Sequence, residues 1–160
     1  MLNVEIVCVG KLKEKFWTDA CAEYAKRLKG FCSFRIVEVD EEKMADNVSP
    51  SAIRHTLQKE GERILSVIPK DAAITAMCIE GKHLSSEALA KQLEEFALRG
   101  DSRLAFVIGG SWGLSDEVKN AAGLKLSMSD MTFPHQLARV MLCEQLYRAF
   151  SIRLGSKYHK

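Results

Sequence analysis

Proline is scarce: three in 160 residues, at positions 50, 69 and 134. Long stretches are therefore free to run as unbroken helix or strand. No apolar run approaches the ~20 residues that a membrane-spanning helix needs. Residues 1–9 lack a basic region, a long apolar stretch and a cleavage site, so they do not form a signal peptide. The expected location is the cytoplasm, with no membrane partner. The five cysteines (Cys8, Cys21, Cys32, Cys78 and Cys143) are odd in number and scattered. No Cys-x-x-Cys pair occurs and no histidine lies near them at ligand spacing, which argues against disulfides and zinc. The four histidines, His55, His83, His135 and His159, never stand three or four apart, so no helical metal pair forms. The expectation is no metal. No Gly-x-Ser-x-Gly elbow is present. No glycine loop closes on Gly-Lys-Ser/Thr. Net charge is only +2, too weak by itself to imply nucleic acid.

What is present is a regular alternation. Residues 2–9 alternate and are rich in valine and isoleucine, which predicts a strand. Residues 13–28 have helical spacing, with Phe16, Ala20, Tyr24 and Leu28 on one stripe. A second strand is expected over 34–39, then a charged, mobile loop over 40–48. Ser49-Pro50 is a cap followed by proline at the first helical position, opening a helix to about residue 68 that Pro69 closes. A third strand is expected over 73–79, ending in a turn at Glu80-Gly81-Lys82. A helix follows, capped by Ser85 or Ser86, with Leu89, Leu93 and Phe96 inward. Residues 103–108 form a fourth strand. A short helix starts at Ser115-Asp116-Glu117. The last strand covers 124–128, and Pro134 opens a helix to about residue 152. Strands alternating with helices imply one α/β domain over 1–160, a mostly parallel sheet with helices on both faces.

Ligands of such sheets bind beyond the carboxyl ends of the strands. Those ends are residues 77–81, 108–113 and 127–133. Gly109-Gly110-Ser111-Trp112-Gly113 lets backbone approach a ligand, or is simply a tight turn before a helix. Residues 128–133 offer a dense set of backbone amides with the Ser129 and Thr132 hydroxyls. Met131 and Phe133 suit an aromatic base, or the core. After Glu144 every charged side chain is basic: Arg148, Arg153, Lys157 and Lys160. A penultimate His159 has no core to fill. It is either disordered or held against a partner surface. The apolar stripe of the last helix, including Val140, Leu142, Leu146, Ala149 and Phe150, suggests a further buried contact between subunits.

Five segments are familiar: VGKLK at 9–13, FVIGGSWGLS at 106–115, LSMSDMTFPHQLARV at 126–140, EQLYRA at 144–149 and the terminal YHK. Together they resemble the RlmH family, bacterial 23S ribosomal RNA pseudouridine-N3 methyltransferases of the SPOUT superfamily. The resemblance covers the whole chain. It implies an α/β domain with a C-terminal trefoil knot, a rarity among folds. It also implies a homodimer that uses S-adenosyl-L-methionine on pseudouridine 1915, in helix 69 of 23S rRNA on the ribosome. Carried over by position, the cofactor site comprises Met77, Gly109, Met128, Ser129, Asp130, Met131, Thr132 and Phe133. The acceptor N3–H must lose its proton, so a base or a cation that stabilises the developing oxyanion is needed. His159 is the candidate base or orienter. Arg139, Arg148 and Lys160 are candidates to hold phosphate or carbonyl oxygens, Arg139 within the catalytic set and the other two as RNA contacts. Tyr158 is a candidate to stack on a base. The tail is expected to act on the partner's pocket. A ribosome-associated RNA-binding protein without catalysis is the alternative. A Rossmann-type enzyme fits poorly, because only Gly10 follows the first strand.

Overall fold

A computed structural model describes residues 1–44 and 46–160; Ala45, within the expected loop over 40–48, lies outside them. Ten elements alternate: β1 (Asn3–Val9), α1 (Lys15–Leu28), β2 (Ser33–Val39), α2 (Pro50–Val67), β3 (Ala73–His83), α3 (Ser86–Leu98), β4 (Arg103–Ile108), α4 (Asp116–Ala121), β5 (Leu124–Ser127) and α5 (His135–Arg153). The five strands form one sheet in the order β2-β1-β4-β3-β5, and every pair is parallel.

Side-chain alternation along the strands builds two cores. On one face Val4, Ile6 and Cys8 of β1 and Leu104, Phe106 and Ile108 of β4 meet α1, α3 and α5. On the other, Val7, Val9, Ala105 and Val107 meet Ile64 of α2 and Val118 of α4. The central strands are apolar on both sides, as a doubly covered parallel sheet requires. β5 lies at one edge, yet α5 returns beneath the middle of the sheet between α1 and α3. That return path is compatible with the knot that the resemblance implies.

Helix starts follow the caps expected from sequence. Ser49 Oγ accepts from the Ala52 amide at 3.1 Å, Ser85 Oγ from Ala88 at 3.0 Å and Ser115 Oγ from Val118 at 3.3 Å. α1 departs from its expected stripe. Cys21 and Leu28 are buried with Tyr24 packed against them, whereas Phe16 is 61% exposed. Phe16 covers Trp17 instead, ring centroids 4.8 Å apart. The part of the 40–48 loop nearest β2 is tied down. Arg63 of α2 donates to the Asp40 carbonyl and pairs with Glu42, and the Glu42 amide donates to Glu60 at 3.0 Å.

The apolar stripe of α5 is consumed within the chain. Leu142, Leu146, Ala149 and Phe150 are buried, together with Cys143, against α1, α3 and the sheet, and Val140 is partly buried against the same core. The stripe therefore does not by itself require a second subunit, contrary to the expectation from its pattern.

Candidate active site at the strand ends

Three strand ends meet in a cleft of about 830 Å³. The first is not the simple turn expected after Ile79. β3 continues to His83, but Met77 and Lys82 both pair with Leu126, so residues 78–81 bulge outward between them. Gly81 makes this possible. A Cβ there would lie 2.7 Å from the backbone of Leu126, so only glycine lets β3 close again on β5. The bulge presents Cys78, Ile79 and Glu80 to the cleft.

The second is the glycine turn after β4. Gly110 and Gly113 form an isolated antiparallel bridge, with the Gly113 amide donating to the Gly110 carbonyl at 3.1 Å. A Cβ on Gly109 would lie 2.2 Å from the Gly113 carbonyl oxygen. Gly109 is thus required by its own loop, before any ligand is considered. Gly109→Ala should lower the melting temperature of the ligand-free protein, by about 2–4 kcal/mol of unfolding free energy. Denaturant unfolding checks this, and an unchanged midpoint would return Gly109 to a purely ligand-facing role.

The third is the loop before α5. Ser127 Oγ donates to the Ser129 carbonyl at 3.0 Å, and the Met131 amide donates to Ser129 Oγ at 3.0 Å. These bonds fold the loop so that Met128, Ser129, Met131, Thr132 and Phe133 line the cleft, with His135 and Ala138 of α5 behind them.

Of the eight residues expected at a cofactor site, this brings together Met77, Gly109, Met128, Ser129, Met131, Thr132 and Phe133. Asp130 stands apart. Its carboxylate is 90% exposed and pairs with His83 Nε2 at 3.1 Å. The remaining expected residues are not in the cleft. Arg139 is 2% exposed, and it donates to Glu38 at 2.6 Å and to the Gly10 carbonyl at 3.3 Å. A guanidinium buried and paired in this way joins parts of the fold and is not presented to the cleft, which counts against the catalytic role expected for Arg139. Arg148 is doubly bonded to Glu144, at 2.8 and 3.2 Å, and lies over the Tyr158 ring. Its charge is already met, which counts against a free phosphate contact. Tyr158 donates to Glu144 at 3.0 Å and meets Tyr147 edge-on, centroids 4.7 Å apart. His159 joins Glu87 of α3 through Nε2 at 2.6 Å and Arg148 through Nδ1 at 3.3 Å. The tail is neither loose nor free of acidic neighbours; chain folding brings Glu87 and Glu144 to it. Lys160 is exposed. None of Tyr158, His159 or Lys160 lines the cleft of its own chain.

Two polar cleft residues, Lys119 and His135, lay outside the three strand-end segments expected to bind a ligand, while Glu80 and Trp112 fell within those segments without an assigned role. Glu80 and Lys119 are paired at 2.5 Å. The bond from Lys119 holds the Glu80 carboxyl below its ordinary range, and the same bond raises the Lys119 ammonium. Burial, seconded by the positive charge of Arg139, pushes the His135 imidazole down, so it is neutral at physiological pH. Burial raises the Cys78 thiol, which keeps it protonated and unreactive. The signals were present but weak. Glu80 looked like a turn residue and His135 like a cap, because neither shows its neighbours until the loops converge.

The cleft is apolar on its walls (Met77, Ile108, Leu126, Phe133), with one carboxylate and many backbone groups. Its volume lies within the range of small-molecule sites. Among the described residues no group of three metal-binding side chains exists, and no helix is long and apolar enough to cross a membrane.

Comparison with known proteins places this geometry. A family model described as "Predicted SPOUT methyltransferase" matches residues 2–159. The chain is 50% identical to Ribosomal RNA large subunit methyltransferase H of Ligilactobacillus salivarius (strain UCC118), over 99% of this chain and 100% of that protein. It is 48% identical to the protein of the same name from Clostridioides difficile (strain 630), with the same coverage. Its fold also matches a solved structure, a probable methylase family protein from Haemophilus influenzae Rd KW20. The TM-score is 0.55 at 14% identity, over 99% of this chain and 71% of that one. An all-parallel sheet, a cleft at its carboxyl ends and a full-length match together make this chain a member of the SPOUT methyltransferase family.

Proposed function

We propose that the chain methylates N3 of pseudouridine 1915, in helix 69 of 23S rRNA, using S-adenosyl-L-methionine held in the strand-end cleft. The reading includes a cytoplasmic homodimer acting on the ribosome. One observation carries it: seven residues expected at the cofactor site by position converge on one cleft, in a chain half identical to proteins named for large-subunit rRNA methylation.

The residues present fit such a cofactor. Phe133, Met77 and Leu126 offer apolar surface for an adenine. Glu80 offers carboxylate oxygens to ribose hydroxyls or to a positive charge. The turn at 109–113 and the loop at 128–133 supply backbone donors and acceptors. When bound, the cofactor supplies an electrophilic methyl group on a sulfonium. This chain must then exclude water, orient the acceptor base and take up the N3 proton. The neutral His135 inside the cleft can accept a proton. His159 can do the same once it leaves Glu87 or reaches a second subunit's cleft. An apolar cleft of this volume at the strand ends favours a bound small molecule over a protein that only binds RNA.

Calorimetry tests cofactor placement. Phe133→Ala should weaken S-adenosylmethionine binding about tenfold, the value of one buried aromatic face. An unchanged Kd in a folded variant would move the cofactor elsewhere. Transfer of tritiated methyl to ribosomes lacking the modification, with the product nucleoside identified by mass spectrometry, tests the substrate.

A further inference from the structure

Three large apolar side chains stand exposed around one opening. Ile79 of the bulge is 49% exposed, Trp112 of the glycine turn 46% and Met131 of the third loop 74%. Each comes from a different strand end, and all three line the same cleft. Exposing a tryptophan forgoes more apolar burial than exposing almost any other residue. Trp112 is also held in place. It sits at the tip of a turn closed by the Gly110–Gly113 bridge, with Gly113 at φ +86°, between the buried Ile108 and Leu114. Tyr158, the aromatic expected to meet a base, is covered on its edge by Tyr147 and on its face by Arg148.

We infer that Trp112 is a stacking platform for an unpaired nucleobase of the RNA substrate at the mouth of the cleft. The inference rests on the RNA-methylating function proposed above. An acceptor nitrogen cannot reach a methyl donor inside the cleft while its base is stacked in a helix. The base must leave the stack, and an exposed ring fixed beside the opening replaces the stacking it loses. Ile79 and Met131 flank the base with adaptable apolar surface. Lys125, exposed on β5 beside the bulge, supplies a cation for the adjoining phosphate, while Lys119 is neutralised by Glu80. Loop bases of an RNA hairpin are the natural occupants, because single-stranded bases are the ones that stack on protein rings.

The test uses the full-length protein. Trp112→Ala should raise the KM for unmethylated ribosomes about tenfold, and Trp112→Phe should restore most of it. S-adenosylmethionine affinity by calorimetry and the sedimentation coefficient should not move. A second measurement reads stacking without catalysis. In a Trp17→Phe background Trp112 is the sole indole. Its emission should be quenched saturably by a hairpin of the target sequence, and much less by the same hairpin with an abasic target position. Absence of quenching, or equal quenching by both hairpins, overturns the proposal. So does a loss of cofactor affinity in Trp112→Ala, which would make the indole a wall of the cofactor site. A change in sedimentation would make it a subunit contact, with the same result. If the protein quenches as expected but methylates no ribosome, the stacking platform stands and the methylation reading falls.

Discussion

Removal of Tyr158, His159 and Lys160 should cut methyl transfer to ribosomes by roughly a hundredfold or more, the usual worth of a positioned acid or base. Cofactor affinity should stay within about twofold, because none of the three lines the cleft of its own chain. The melting temperature should fall slightly. Tyr158 packs on Tyr147 and bonds Glu144, and His159 bonds Glu87. His159→Ala alone should lose less than the full deletion if the ring and the cation share the placement of RNA. The tail's docking on α3 and α5 also permits a direct test of service in trans. At a limiting cofactor concentration, a tail-deleted chain mixed with Phe133→Ala, whose own cleft fills about tenfold less readily, should be more active than the two measured apart, because in mixed dimers the intact cleft is completed by the other chain's tail. A mixture no more active than its components measured apart would confine the tail to its own subunit. A truncated enzyme at the full rate would make it an ordinary terminus.

Much of the fold was legible because this sheet is covered on both faces. β1 and β4 are apolar runs bounded by glycine or serine, and each helix but α1 and α5 starts at a serine whose cap bond forms as expected. Local signals suffice for elements of this kind. They fail where a contact is made by backbone far away in sequence. Glu80-Gly81-Lys82 has the composition of a turn, yet it continues β3, because Gly81 can lie against Leu126. Likewise Phe16 has the right spacing for the inner stripe of α1, but the helix presents Cys21 to the core and leaves Phe16 outside.

The site was legible to the extent that it is made of loops at strand ends, whose location follows from topology. It was illegible where charge pairing decides. Glu144 and Arg148 stand four apart, a spacing at which they can pair, but the other basic residues of the C-terminal segment showed no partner in a linear reading, since no acid follows Glu144. In three dimensions Arg148 has Glu144 one helical turn away, and His159 has Glu87 from a different helix. Arg139 illustrates the same point most strongly. Its neighbours in sequence are Ala138 and Val140, and nothing there shows that Glu38 and the Gly10 carbonyl would be its partners.

Arg139 therefore supports the other prediction of large effect. Arg139→Met should lower the unfolding free energy by about 3 kcal/mol, the cost of stranding a partner inside a protein. For a chain of this length that is a fall of roughly 6–12 °C in melting temperature. The estimate sits at the low end for broken buried pairs, because the Glu38 side chain is 36% exposed and can recover some water. The Arg139 Nε–H already lacks a partner in the interior, so the pair is imperfect as it stands. Glu38→Gln in the same chain should accordingly recover much of the loss, since it removes the stranded charge and leaves an apolar side chain in place of the guanidinium. Activity separates this structural role from a catalytic one. If Arg139 only joins α5 to the ends of β1 and β2, the double variant should methylate at close to the normal rate once its stability returns. A double variant that is stable, binds cofactor and remains inactive would restore Arg139 to the catalytic set. A single Arg139→Met protein that melts like the unaltered chain would show that the ion pair does not hold the fold.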